Sequence, residues 1–504
     1  MVPISTPLFR VRHHRELVGL LLLSCLLPLS ALASTAATLP DTPVGVLGNQ
    51  LIQQINSDSS EQLARWLPSL LSSSIDNDGR AAFIQNMTLA GRDSQGIDVF
   101  DVRTDSRQPG LLEVAVRARH GGHCALRLLT ADAVQPGKLL QADAVPMDRP
   151  ELYAAWPKGA VSSRELVRAI RTTLDTLTRT EDFSGCLTVV RGGATLFDEC
   201  RGSAERNFDV PTDHRTRFHI GSMNKMFTAV AIAQLIEGGK LSWNSTLAQL
   251  VPEYPDQERA KVITVAQLLH HTAGLGDFLV PEFFEHREKF SDPSDYLDLI
   301  ARQPKVGEPG KQWIYSNAGY MLLGRVIENV SGETYFEYIK RHIFVPAAML
   351  FSGFDDVDDV TPRLAVGYYR EGLFSSDWKA YWLKAGFKGG PAGGGYSTNA
   401  DLIKFATALR TGRLVKPATL NAMFTDEVPA GPGFYAAGFG DRLSHGMHIR
   451  GHAGGIEGTS ANLAIVWETG DTVAVTSNEG ESNTAMLFSE RIADQLALER
   501  SNSR

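Results

Sequence analysis

From Met226 to Ile236 the chain is apolar at nearly every position. Met226, Phe227, Val230, Ile232, Ala233, Leu235 and Ile236 fall on all sides of the helix they predict. Such a helix belongs inside a core, so the fold has to be built around it. Gly238-Gly239 supplies its stop signal. At its start stand Ser222-Met223-Asn224-Lys225, just after Gly221. On a helix, Ser222 and Lys225 share one face, one turn apart. An amine held there can take the proton of a serine that is otherwise a poor nucleophile. Unpaired N–H groups at the helix N-terminus favour a developing negative charge. The bland alternative for Ser222 is an N-cap serine, and for Lys225 an exposed helix lysine, which the apolar surroundings disfavour. Ser376-Asp377-Trp378-Lys379 repeats the tetrad but precedes no helical run, and reads as a loop serine beside a solvated lysine.

Two further motifs follow in order: Tyr315-Ser316-Asn317 and His452-Ala453-Gly454. With these three, residues 165 to 500 resemble the serine β-lactamase and penicillin-binding-protein superfamily. The resemblance is closest to the class C-type branch, in which Tyr-x-Asn replaces Ser-x-Asn and which includes esterases and D-amino-acid peptidases. The connecting sequence agrees: Gln267 to Leu275 reads QLLHHTAGL, Tyr315 to Tyr320 reads YSNAGY, and Gly393 to Thr398 reads GGGYST. The resemblance implies an α/β fold of the α+β type: an antiparallel sheet flanked by helices, with an inserted helical lobe and the cleft between sheet and lobe. It implies Ser222 as nucleophile, with Lys225 and Tyr315 as its proton-handling partners. Which of the two is the base stays open. A phenol needs an adjacent ammonium to act at neutral pH, and a buried lysine is expected to have a depressed pKa unless paired. Asn317, His452 and Gly454 would contact substrate, and the N–H groups of Ser222 and Gly455 would form the oxyanion hole. His452 replaces the more familiar lysine of Lys-Thr-Gly, and histidine is largely neutral at pH 7. That favours an ester or peptide amide over a β-lactam. A true β-lactamase or D-Ala-D-Ala carboxypeptidase is the runner-up, and a non-catalytic binder of penicillin or cell-wall peptide is the alternative of another class. No cofactor is implied.

At 504 residues the chain is too long for one ordinary core, so two or more domains are expected. Charge is mildly acidic, formally −8, with no Lys/Arg-rich run, which argues against nucleic acid as partner. Arg10, Arg12 and Arg15 precede an apolar stretch that ends at Ala31-Leu32-Ala33. This predicts a secretory signal peptide over 1–33, cleaved after Ala33, and a periplasmic or secreted protein with no integral membrane segment. Lipidation at Cys25 is the lesser reading. Between about 41 and 150, three helical patterns followed by four strand-like ones suggest a small α+β accessory domain. It vaguely resembles the nuclear-transport-factor-like fold and carries no catalytic constellation. The hydrolase domain would span 160–500.

Export permits disulfides. Cys186 and Cys200 flank Gly192-Gly193 in a predicted β-hairpin. A three-residue loop at 192–194 makes 186 face 200 and predicts a Cys186–Cys200 bridge; a one-residue change of register would instead leave two buried thiols. Cys124 reads as a core thiol. His448 and His452 are too far apart along a strand to share a metal, and no third ligand is indicated. Gly389 to Gly395 lacks the Gly-Lys-Ser/Thr of a phosphate loop. His270 and His271 are expected to pack near the cleft. The aromatic stretch Tyr368, Tyr369, Phe374, Trp378, Tyr381, Trp382 and Phe387 reads as core or pocket lining. The substrate class is a small-molecule ester, amide or peptide, and oligomeric state is not legible.

Overall fold

The computed structural model describes residues 37–501, apart from 58, 105–109, 121–123, 136, 148–149, 154–155, 371–373, 376, 382–387 and 481–483. The signal-peptide reading, Cys25, Ser376, Trp382 and Phe387 therefore lie outside the described residues.

Three helices open the described chain: α1 (Pro43–Ser57), α2 (Ser60–Leu70) and α3 (Asn77–Ser94). Ser59 and Gln62 form a capping box at α2, and Asp76 caps α3, each satisfying N–H groups the helix leaves open. An antiparallel meander follows: β1 (Ile97–Thr104), β2 (Leu111–Ala118), β3 (Cys124–Ala131) and β4 (Leu139–Met147). Leu112, Val114, Val116 and Ala118 alternate along β2 and are all buried, the period-2 signature of a half-covered sheet. They meet Leu51, Leu63 and Leu67 of the helices in one core. Phe374, from far along the chain, is 1% exposed and completes this core.

The larger unit begins with α4 (Ser163–Arg179), whose Leu166, Ile170, Leu174 and Leu177 form one buried stripe. Next come β5 (Gly185–Arg191) and β6 (Ala194–Arg201). The sheet is completed from the other end of the chain by β7 (Val428–Ala430), β8 (Gly433–Tyr435), β9 (Gly440–Ser444), β10 (Met447–Ile456), β11 (Thr459–Val466) and β12 (Asp471–Ser477). Its order is β7-β8-β9-β10-β11-β12-β5-β6, with every pair antiparallel. The middle strands are buried on both faces. On β11 and β12, Ala464, Val466, Val473 and Val475 face α4 and the C-terminal helix Thr484–Ser501. Ala461, Leu463, Ile465 and Ala474 face the helical lobe. This is the expected antiparallel sheet flanked by helices, with the lobe inserted between its two halves.

The Gly192-Gly193 hairpin reaches its expected pairing by a different route. The turn has two residues, both with positive φ, and pairs Arg191 with Ala194. A bulge then shifts the register between Val189 and Val190, so Cys186 still faces Cys200. The two are joined in a disulfide with Cα atoms 4.1 Å apart. Cys124 is a buried residue of β3.

The central apolar helix is α5 (Asn224–Glu237), and every residue from Asn224 to Ala233 is buried. Two more helices of the lobe frame the site: α6 (Val265–Leu269) and α7 (Asn317–Ser331). Both pack into the core that surrounds α5.

Candidate active site

Ser222 is not on α5 itself. It occupies one 3-10 turn, Gly221–Met223, that feeds directly into the helix. The spacing still brings Lys225 Nζ to 3.2 Å from Ser222 Oγ. Lys225 is completely buried. Its amine lies 2.8 Å from Asn317 Oδ1 and 2.5 Å from the Ala392 carbonyl oxygen. Loss of hydration disfavours the ammonium and brings the Lys225 pKa down to about 7, while the negative charge of Asp277 opposes the fall. A neutral amine has two hydrogens and one lone pair. The Asn317 Oδ1 and Ala392 carbonyl oxygens can only accept, so they take both hydrogens and the lone pair is left for Ser222.

Tyr315 immediately precedes Ser316, whose hydroxyl caps α7 by accepting from Gly319 N–H at 3.2 Å. The Lys225 amine lies 4.8 Å from the centre of the Tyr315 ring. Burial pushes the Tyr315 phenol well above its ordinary pKa, and a hydrogen bond with Ser222 opposes the rise only in part. The phenol is therefore a protonated group at neutral pH. Asn317 turns its other amide atom to Asp277: Nδ2 donates to Oδ2 at 3.0 Å. The order Lys225–Asn317–Asp277 fixes the amide orientation, because only Oδ1 can accept from the amine.

His452 lies on β10 and is buried. Burial, followed by the nearby Lys225, lowers its pKa to about 3, so the ring is neutral. Its Nδ1 faces the Ala453 carbonyl, an acceptor, and so carries the proton. Nε2 then accepts from the Tyr435 hydroxyl at 2.9 Å. His448 bonds Asp441 at 2.8 Å, so the two histidines of β10 have separate partners. Among the described residues no group of three or more His, Cys, Asp and Glu side chains is placed to hold a metal ion.

Gly454 brings β10 against the serine turn. A Cβ on Gly454 would lie 1.8 Å from the Ile220 carbonyl oxygen and 3.0 Å from Ser222 N. A Cβ on Gly221, whose φ is +50°, would lie 2.9 Å from Gly455 N. Only glycine permits that approach, and it sets the Ser222 and Gly455 backbones side by side. The glycine-rich segment 389–395 supplies the opposite wall. Gly395 O accepts from Ile220 N–H at 2.9 Å, Gly390 O accepts from Asn224 Nδ2 at 3.1 Å, and Ala392 O accepts from Lys225. This cradle, Asp277 and Tyr435 did not emerge from sequence reasoning. Carbonyl oxygens leave no trace in side-chain identity, and Asp277 and Tyr435 belong to none of the three motifs. A cavity of about 210 Å³ lined by Cys186, Thr188, Asp198, His214 and Asn399 shares no residue with this constellation.

Residues 170–497 match the family described as Beta-lactamase, and the chain belongs to that family. PbpX of Bacillus subtilis (strain 168) is 34% identical over 267 residues, 53% of this chain and 65% of PbpX, so the match spans a little under two thirds of that relative. Among solved structures, a penicillin binding protein from Bacillus halodurans aligns with a TM-score of 0.57 at 29% identity, over 63% of this chain and 98% of that one. D-amino acid amidase from Ochrobactrum anthropi SV3, complexed with L-phenylalanine amide, aligns at 0.56 with 24% identity, over 68% and 99%, a likeness of fold. Among the described residues no helix is long and apolar enough to cross a membrane.

Proposed function

We propose that this protein is an exported serine hydrolase that cleaves an ester or peptide amide through an acyl-enzyme, with an accessory unit over 41–150 preceding a hydrolase domain over 160–500. The observation that carries the reading is the Lys225 amine, buried, neutralised at about pH 7 and aimed at Ser222 Oγ. Lys225 takes the serine proton as Oγ attacks the substrate carbonyl carbon. The oxyanion that forms is held by the N–H groups of Ser222 and Gly455, each worth about 10²–10³ in rate. Tyr315 gives its phenolic proton to the departing alkoxide or amine, and the Lys225 ammonium restores it. Water then enters, loses a proton to the same pair, and its hydroxide releases the acid product while Ser222 recovers its hydrogen.

The neutral His452 places no cation where a substrate carboxylate would need one. This supports an ester or neutral amide over a β-lactam or a peptide with a free C-terminal carboxylate. The fold also occurs in a D-amino acid amidase, so amide cleavage is within its reach. The test is labelling of the mature protein by a fluorophosphonate, with peptide mapping, beside turnover of a p-nitrophenyl ester, a D-amino-acid anilide and nitrocefin. The expected result is label on Ser222, none in Ser222→Ala, and ester or anilide turnover ahead of nitrocefin. Label elsewhere refutes the nucleophile, and faster nitrocefin turnover refutes the substrate ranking.

A further inference from the structure

His271 is a buried histidine beside the site that the reaction above does not use. It is 1% exposed and adopts φ +57°, a left-handed conformation that side chains other than those of Gly, Asn, Asp and His seldom take. Its contacts converge on one neighbour. The His271 carbonyl accepts from Ile314 N–H at 2.8 Å. Its Nδ1 accepts from Ser316 N–H at 3.1 Å. Its ring lies 4.3 Å from that of Tyr315, inclined by 37°. One residue thus holds the peptide on each side of Tyr315 and the phenol between them.

Tyr315 needs that support. Residues 313–316 form no helix or strand, and regular structure begins only at Asn317. Without a ladder of backbone bonds, the phenol direction depends on what grips the segment. Histidine carries a disadvantage here. With Nδ1 accepting, the proton of the neutral ring sits on Nε2, which is buried with no hydrogen-bond partner among the described residues, and the His271 ring lies 4.6 Å from that of Tyr435 and 5.1 Å from that of Tyr320. Phenylalanine would fill the space without an orphaned N–H, but it has no acceptor for Ser316. The acceptor is what histidine contributes.

We infer that His271 is a positioning residue that holds the Tyr315 phenol in the pose from which it protonates the leaving group at Ser222. The inference rests on the role given to Tyr315 above and adds the device that aims it.

The test is a double-mutant cycle on the full chain, with His271→Phe and Tyr315→Phe alone and together and a thermal melt of each protein. The readout is kcat/KM, which reports acylation, for two esters of one acid: ethyl butyrate, whose alkoxide must be protonated, and p-nitrophenyl butyrate, whose phenolate leaves unaided. His271→Phe is expected to lower kcat/KM about tenfold for the ethyl ester and less than about threefold for the p-nitrophenyl ester, with no further loss in the Tyr315→Phe background. Equal losses for both esters, or the same loss in both backgrounds, overturns the inference. If Tyr315→Phe itself leaves the ethyl ester rate unchanged, the role of Tyr315 fails and the inference with it. If Tyr315→Phe matters and His271→Phe does not, only the inference fails. His271→Asn keeps a side-chain acceptor and tolerates the left-handed backbone. Because Asn would retain the role under test, His271→Gly, which removes the acceptor and tolerates φ +57°, carries the same cycle should the Phe variant not fold, with the same selectivity for the ethyl ester expected and its absence refuting.

Discussion

The pH dependence of Ser222 acylation discriminates between three candidate bases, because their environments separate them widely. Burial takes Lys225 from an ordinary 10.5 to about 7, a loss of ammonium preference of about 5 kcal/mol. His452 is held near 3, and Tyr315 is pushed well above its ordinary range. If Lys225 is the base, the reactive species is the neutral amine. About half is present at pH 7 and about 1% at pH 5, so the rate at pH 5 falls about 100-fold below the plateau. The assay is the second-order rate of fluorophosphonate labelling of Ser222 between pH 4.5 and 10. Asp277→Asn supplies the perturbation. Its carboxylate favours the ammonium, so its removal lowers the Lys225 pKa and moves the acid limb to lower pH. The variant should label faster than wild type at pH 5. A flat profile across this range, its limb lying below pH 4.5, would point to His452, and a rate still climbing at pH 10 to Tyr315. Either result, or an upward shift in Asp277→Asn, refutes the assignment. The same group affects stability. Between pH 7 and 10.5 the unfolded chain holds a proton that the folded chain has lost, so the Lys225 contribution to stability rises with pH across that window.

Gly454→Ala should reduce kcat by about 10²–10³, measured on a p-nitrophenyl ester, because its Cβ would drive β10 away from Ile220 and separate the two N–H donors. An unchanged rate would show that the strand can shift without harm. Replacing Cys186 and Cys200 together by Ala opens a cross-link spanning 14 positions and should cost about 3 kcal/mol in denaturant unfolding, with ester turnover retained. A rate loss without a stability loss would contradict a purely structural bridge. Tyr435→Phe leaves His452 Nε2 buried without its donor and should lower stability by about 1–3 kcal/mol in a thermal melt. No change would mean that Nε2 finds another donor.

How much of this was legible depended on where the signal lay. Ser222 and Lys225 were readable because helix geometry ties residues three apart to one face, and the apolar run after them declared its burial. The sheet was readable because β11 and β12 are apolar at consecutive positions, as strands covered on both faces must be. Asp277 was not, since its charge reaches Lys225, and its carboxylate bonds the Asn317 that Lys225 also bonds, only once α7 is folded against α5. The segment 389–395 lacks the signature of a phosphate loop, yet its backbone oxygens grip the serine turn. The hairpin at Gly192 shows the converse. The expected loop length was wrong by one residue, and a bulge further along β6 restored the pairing of the cysteines. The QLLHHTAGL motif places His271 near the cleft. Its hold on Tyr315 is a tertiary contact between distant segments, which no local pattern encodes.

Phe374 belongs by sequence to the larger unit and by burial to the core of the smaller one, where Arg127 lies 5.9 Å from its ring. Cutting the chain between the two units would leave a phenylalanine-sized void in one fragment and a bare aromatic ring on the other. The two parts are therefore interlocked at this point, and the N-terminal unit is not a cassette that can be exchanged or discarded without replacing the phenylalanine that fills its core.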